Sequence, residues 1–203
     1  MTAPDSDKSK MLRGELYRGD DPALVAERRR AQEILRRFNA TPPDAESERQ
    51  ALLSELLGGI GDGTTLLPPF RCDYGYNITI GGRSFVNYDC IFLDCARIVI
   101  GAEVQIAPRV QIYTATHPTD AALRRAGPEY ALPVTVGDGA WLGGGAILCP
   151  GVTIGTNAVV GAGSVVTRSI PPDVVAAGNP CRVIRRCDVA GEGRGAAQPP
   201  RPT

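Results

Sequence analysis

The chain has 203 residues, with 22 lysines and arginines balancing 22 aspartates and glutamates, so it carries no net charge at pH 7. That length supports one domain with a real core, and the even charge lacks the basic footprint of a nucleic-acid or anionic-membrane binder. The start MTAPDSDKSK is polar with no apolar stretch behind it, and no run approaches the ~20 apolar residues that cross a bilayer, which predicts a cytoplasmic protein working on small molecules.

Residues 1–10 and 187–203 are rich in Gly, Pro, Ala and charge, and read as disordered tails that bury too little to offset their ordering entropy. Residues 11–59 read as a helical cap. Asp21 is a natural N-cap and Pro22 suits the first helical position, while Leu24, Ala31, Ile34, Leu35 and Phe38 recur at helical spacing. A second helix is expected after Thr41-Pro42-Pro43, burying Leu52, Leu53, Leu56 and Leu57 and closing on a left-handed glycine at Gly58-Gly59.

Beyond about residue 75 the sequence repeats every six residues. Aliphatic side chains fall at Val136, Leu142, Leu148, Ile154, Val160 and Val166, with glycine following at Gly137, Gly143, Gly155 and Gly161. An earlier stretch repeats at Ile80, Val86 and Phe92, slips two places, and resumes at Ile100, Ile106 and Ile112. Neither a helix nor a simple alternating strand has this period. It predicts a mainly β fold over residues 60–186, a parallel β-helix whose hexapeptides each supply one short strand and one tight turn, three to a coil.

The period is lost over an inserted loop, residues 113–135, and long insertions in compact domains are usually functional. The loop holds His117, the only histidine, before Pro118, which favours an extended conformation. On position alone His117 is either a surface residue or a proton acceptor, since its pKa lies near 6.5. One histidine cannot provide the three that a β-helical zinc site uses, so no metal is expected. The six cysteines lack a CxxC pair and read as reduced, small hydrophobes.

The segments GELY (14–17), PFRCDYGYNITIG (69–81), FVNYDCIFLD (85–94), IAPRVQIYTATHP (106–118), GAWLGGGAILCPGVTIG (139–155), VVGAGSVVT (159–167) and AAGNPCRVIR (176–185) together resemble the maltose, galactoside and nodulation-factor O-acetyltransferases of the hexapeptide acyltransferases. The resemblance runs from about Met11 to Arg186. It implies a left-handed β-helix, a homotrimer with sites between subunits, and acetyl transfer from acetyl-CoA, a co-substrate and not a resident cofactor, to a sugar hydroxyl. It makes His117 the general base with Asn87 beside it and Glu129 orienting the imidazole. Asp73 and Asp94, with Asn87, fall where the family binds the acceptor. Gly144, Ala162, Thr167, Arg168, Arg182 and Arg185 match its CoA groove, the last two within a C-terminal CoA-binding segment at 171–186. Gly19 and Cys95 depart from the galactoside enzyme, which has aspartates there.

The chemistry suits those residue types. A hydroxyl needs a base within about 2.6–3.2 Å to attack a thioester, and a backbone N–H in Gly143-Gly144-Gly145 is a candidate oxyanion donor. Arginine forks suit the CoA phosphates, and without a Ser-His-Asp order direct transfer is expected, with Cys90 and Cys149 not nucleophiles. Trp141, beside the glycine turn, either walls the site or packs. The remaining alternatives are another hydroxyl acceptor, an antibiotic or serine, or a non-catalytic β-helix scaffold.

Overall fold

The structure, a computed structural model, describes residues 5–187. The expected C-terminal tail lies outside the described residues apart from Cys187, and so do residues 1–4. The chain is already helical from Asp7, which corrects the expectation of a tail through residue 10. In α1 (Asp7–Arg13) the Ser6 hydroxyl caps Ser9 N and Gly14, at φ 75°, closes the C-terminus. Met11 is its one buried side chain, so caps and the Lys8–Glu27 ion pair (2.6 Å) hold a helix that no apolar stripe announces.

Helix α2 (Pro22–Asn39) starts as its sequence predicts, with the Asp21 carboxylate accepting from Ala23 N and Leu24 N, and buries the five apolar residues expected. Helix α3 (Glu46–Leu56) buries Leu52, Leu53 and Leu56 but ends differently. Its C-cap is Leu57 in an extended conformation, not a left-handed glycine. Gly58 serves close approach instead, since a β-carbon there would lie 2.3 Å from Tyr76 O.

The rest is a three-sided prism of parallel coils. Coil one is β1 (Gly59–Ile60), β2 (Thr65–Leu66) and β3 (Phe70–Cys72); coil two is β4 (Ile78–Ile80), β5 (Phe85–Val86) and β6 (Cys90–Leu93). Coil three is β7 (Ile98–Ile100), β8 (Gln105–Ile106) and β9 (Gln111–Tyr113). The inserted loop follows as β10 (Ala115–Thr116), α4 (Ala121–Arg125) and β11 (Tyr130–Ala131). Coil four is β12 (Val134–Val136), β13 (Trp141–Leu142) and β14 (Ile147–Leu148); coil five is β15 (Thr153–Ile154), β16 (Val159–Val160) and β17 (Val165–Val166). β18 (Val174–Ala177) extends the second face, and β19 (Arg182–Arg186) folds back antiparallel along it.

The inward column Val86, Ile106, Leu142 and Val160 is registered strand over strand and shielded from solvent, as are Phe92, Ile112, Leu148 and Val166 on the third face. Each such side chain contributes roughly 1.5–3 kcal/mol on burial, so the six-residue period is the periodicity of one continuous core. Outward positions differ by face. The first carries exposed Thr79, Val99, Thr135 and Thr153, the second Thr65, Phe85, Gln105, Trp141 and Val159, and the third Arg71, Ile91, Gln111, Ile147 and Val165. Among the described residues no helix is long and apolar enough to cross a membrane.

Candidate active site

The inserted loop is a hairpin with a set register. Ala115 pairs with Ala131 and Thr116 with Tyr130, which places His117 opposite Glu129 as the next pair. Directly opposed residues on antiparallel strands project to the same side. Accordingly His117 Nε2 stands 3.9 Å from Glu129 Oε2, an ion-pair distance, too long for a hydrogen bond. The other side of Glu129 is held by the N-terminal segment. Tyr17 N donates to Glu129 O and Glu129 N to Tyr17 O, both at 3.0 Å, and Arg18 Nη1 donates to Ala126 O at 3.0 Å. Gly19 lies beneath the carboxylate, where a β-carbon would sit 2.6 Å from Glu129 Oε1. An aspartate at 19 would therefore displace Glu129 as now placed.

A cleft of about 750 Å³ opens beside this hairpin, lined by Arg28, Asp73, Cys95, Tyr113, His117 and Glu129 among others. Its wall exists because Cys72 to Ile80 and Phe92 to Ile100 each span eight residues instead of six, widening the edge where the chain leaves the third face. Asp73 is half-buried, with the Cys95 thiol donating to its Oδ2 at 3.5 Å. Burial raises the Asp73 carboxyl, opposed by Cys95 and the Arg28 charge and reinforced by Glu129. Burial also pushes the Cys95 thiol up.

Asp94 requires a correction. It has no accessible surface and does not line the cleft. Its Oδ1 accepts from Asp73 N (3.0 Å) and Tyr74 N (2.8 Å), and its Oδ2 from Asn77 N (3.3 Å). It shapes the turn that presents Asp73 and cannot touch an acceptor in the cleft. The neighbouring Cys95 faces the cleft instead.

Arg28 escaped the sequence reading although a signal was there. It occupies a place in the apolar stripe of α2 that Leu24, Ala31 and Leu35 otherwise fill. Its guanidinium donates to Tyr74 Oη (2.8 Å) and Gly19 O (2.6 Å), holding a cation at the cleft floor.

The remaining candidates fall on different parts of the prism. By strand register Tyr113, Cys149 and Thr167 stack on the third-face exit edge, so Thr167 and Arg168 share that prism edge, about 10 Å beyond Tyr113 at the usual strand spacing and outside the lining of the cleft. Asn87, Gly144 and Ala162 lie on the opposite border of that face, at the turns from second to third face. Asn87 Oδ1 accepts from Tyr88 N (2.8 Å). One chain therefore does not bring Asn87 to His117. Of the three glycine N–H groups at 143–145, Gly143 donates to Val160 O and Gly145 to Pro108 O, leaving that of Gly144 uncommitted to a neighbouring coil. Arg182 and Arg185 project from β19 at the far end of the prism, both exposed, and Trp141 is half exposed on the second face, outside the cleft.

The maltose acetyltransferase hexapeptide capping motif matches residues 10–61, and the bacterial transferase hexapeptide motif (six repeats) matches residues 133–168. Nodulation protein L of Rhizobium meliloti is 48% identical, covering 87% of this chain and 96% of its own. A solved maltose O-acetyltransferase from Clostridium difficile 630 superposes with a TM-score of 0.90 at 51% identity, over 92% of this chain and 100% of that one. A hexapeptide-repeat acetyltransferase from Vibrio cholerae, solved with acetyl coenzyme A, superposes with a TM-score of 0.84 at 38% identity, over 91% of this chain and 100% of the other.

Proposed function

Because the chain belongs to the maltose acetyltransferase family of hexapeptide-repeat transferases and is an acetyl-CoA-dependent O-acetyltransferase, we propose that its acceptor is a sugar hydroxyl and that His117 is the general base. The observation that carries this is the hairpin register, which sets the only histidine against a carboxylate at the rim of a polar cleft. Neutral imidazole takes the hydroxyl proton as the oxygen attacks the thioester carbon, and Glu129 steadies the imidazolium that results. A separation of 3.9 Å is compatible with that role, since such contacts tighten once substrate is bound. Asp73, Arg28 and Glu129 offer a hydroxylated acceptor both donors and acceptors.

The proton returns to the departing CoA thiolate or to water, and the acetyl group passes directly to the acceptor oxygen. Burial lifts the Cys90 thiol to about 11 and raises that of Cys149, so neither is a thiolate nucleophile at neutral pH. The Gly144 N–H is the candidate oxyanion donor, while Thr167, Arg168, Arg182 and Arg185 are candidates to hold CoA.

This reading requires a second copy of the chain. His117 and Asn87 border opposite sides of the third face, so a site containing both draws them from two subunits. Large apolar side chains in the outward rows of the second and third faces, Phe85 and Trp141 on one and Ile91 and Ile147 on the other, support a homotrimer in which each prism presents two faces to neighbours.

The test is CoA release from acetyl-CoA with sugars, thiogalactosides, serine and chloramphenicol, beside His117→Ala. Release with a sugar that falls roughly 10²- to 10⁴-fold in the variant is the expected result. Release with serine or the antibiotic alone would overturn the sugar, and undiminished release from the variant would remove His117 from catalysis.

A further inference from the structure

Tyr17 lies in the same register row as His117 and Glu129. Residue 129 is bonded through its backbone to Tyr17 on one side, and on the other the hairpin register sets it against 117. All three side chains therefore project to one side of a small three-stranded patch. Tyr17 is the innermost of them, 1% exposed. Its hydroxyl is buried without a hydrogen-bond partner in this structure, a costly condition for a polar group. The polar groups facing it are the Cys95 thiol and the Glu129 carboxylate. Cys95 already directs its proton to Asp73, and sulfur is a weak acceptor. The carboxylate is the stronger acceptor of the two. Burial keeps the phenol protonated, so Tyr17 can donate and not accept a charge.

We infer that Tyr17 is a positioning residue, whose hydroxyl donates to the Glu129 carboxylate and holds it toward His117 while the imidazolium exists. The inference rests on the reading of His117 and Glu129 given above. No proton changes hands at Tyr17. The hydroxyl restrains a carboxylate whose ion pair with His117 is the only one it makes among the described residues, and Arg18 and Arg28 are occupied by Asp20 and by Tyr74 and Gly19 O.

The experiment is a cycle of Tyr17→Phe, Glu129→Ala and the double variant, assayed with acetyl-CoA and whichever of glucose, maltose or a thiogalactoside supports CoA release in the wild type. Tyr17→Phe is expected to lower kcat about tenfold, the effect of one hydrogen bond to a charged group. The KM for acetyl-CoA and the melting temperature should stay at wild-type values. In the Glu129→Ala background the same substitution should cost nothing more. Losses that multiply in the double variant, a kcat that does not change in Tyr17→Phe, or a parallel fall in melting temperature would overturn the role of Tyr17 while leaving Glu129 in place. Wild-type kcat in Glu129→Ala would instead remove Glu129, and with it the group through which Tyr17 acts.

Discussion

Replacing Asp94 separates a residue that shapes the cleft from one that touches the acceptor. Truncation in Asp94→Ala leaves the N–H groups of Asp73, Tyr74 and Asn77 without their acceptor. An unsatisfied buried donor costs about 1–3 kcal/mol, and partial relaxation of the turn keeps the sum near the low end, about 3–5 kcal/mol. Asp94→Asn keeps an oxygen for the two shorter bonds and removes a charge that burial disfavours, so it is expected to be far milder. Burial is also the main reason the Asp94 carboxyl is pushed up to about 6 from 3.8, opposed by the Tyr74 N–H and reinforced by Asp73. The folded state thus holds this proton more tightly than the unfolded chain. Its contribution is complete below about pH 4 and is lost as pH rises through about 6, a change of about 3 kcal/mol relative to Asp94→Asn. Urea unfolding of the three proteins between pH 4 and 7, at one protein concentration because self-association shifts the midpoint, measures both effects. An Asp94→Ala variant as stable as wild type but with a raised acceptor KM would refute the reasoning and return Asp94 to the acceptor.

Two glycines in one turn should behave differently. Gly143→Ala drives a β-carbon to 2.5 Å from Ala162 N and is expected to destabilise by roughly 1–3 kcal/mol or more, whereas Gly145→Ala meets nothing within 4 Å and costs only the left-handed strain of about 1–2 kcal/mol; denaturant midpoints compare them. Gly19→Ala pushes against the mobile end of Glu129, so kcat should fall about tenfold, the worth of one ionic contact, with the melting temperature unchanged. The double variant Arg182→Ala, Arg185→Ala should raise the KM for acetyl-CoA about tenfold at low salt, with less effect at high salt, and leave kcat near wild type, as steady-state kinetics at two ionic strengths would show.

The period of six made the prism legible because each inward side chain meets its counterpart one coil away, and no competing fold uses that spacing. Helix α1 was hidden because only Met11 faces the interior, so the 3.6-residue stripe had nothing to display. Of the candidate site, His117 and Asp73 stand in matching motifs, whereas Glu129 stands in the inserted loop between two of them. The burial of Asp94 was not legible, although parity held the clue. Two residues beyond the inward Phe92, it returns to the inner side of the chain, and Cys95 takes the outer one. The placement of Arg28 is not legible in the sequence, because one arginine in the apolar stripe of α2 does not say that its guanidinium turns onto Tyr74 and Gly19. The proposed pairing of distant edges, Asn87 with His117, has no counterpart within one chain, where the two border opposite sides of the third face.

The hairpin register has a consequence for how such a protein can change. The pairs 115 with 131 and 116 with 130 fix the catalytic candidates from the base of the loop, so the eleven residues between His117 and Glu129 do not set their separation. That stretch, with α4 and the exposed Leu123, can lengthen, shorten or alter its chemistry while His117 and Glu129 keep their alignment. A library built on this chain can therefore vary the rim of the cleft, which Gly127 of this segment lines, on a fixed His117–Glu129 pair.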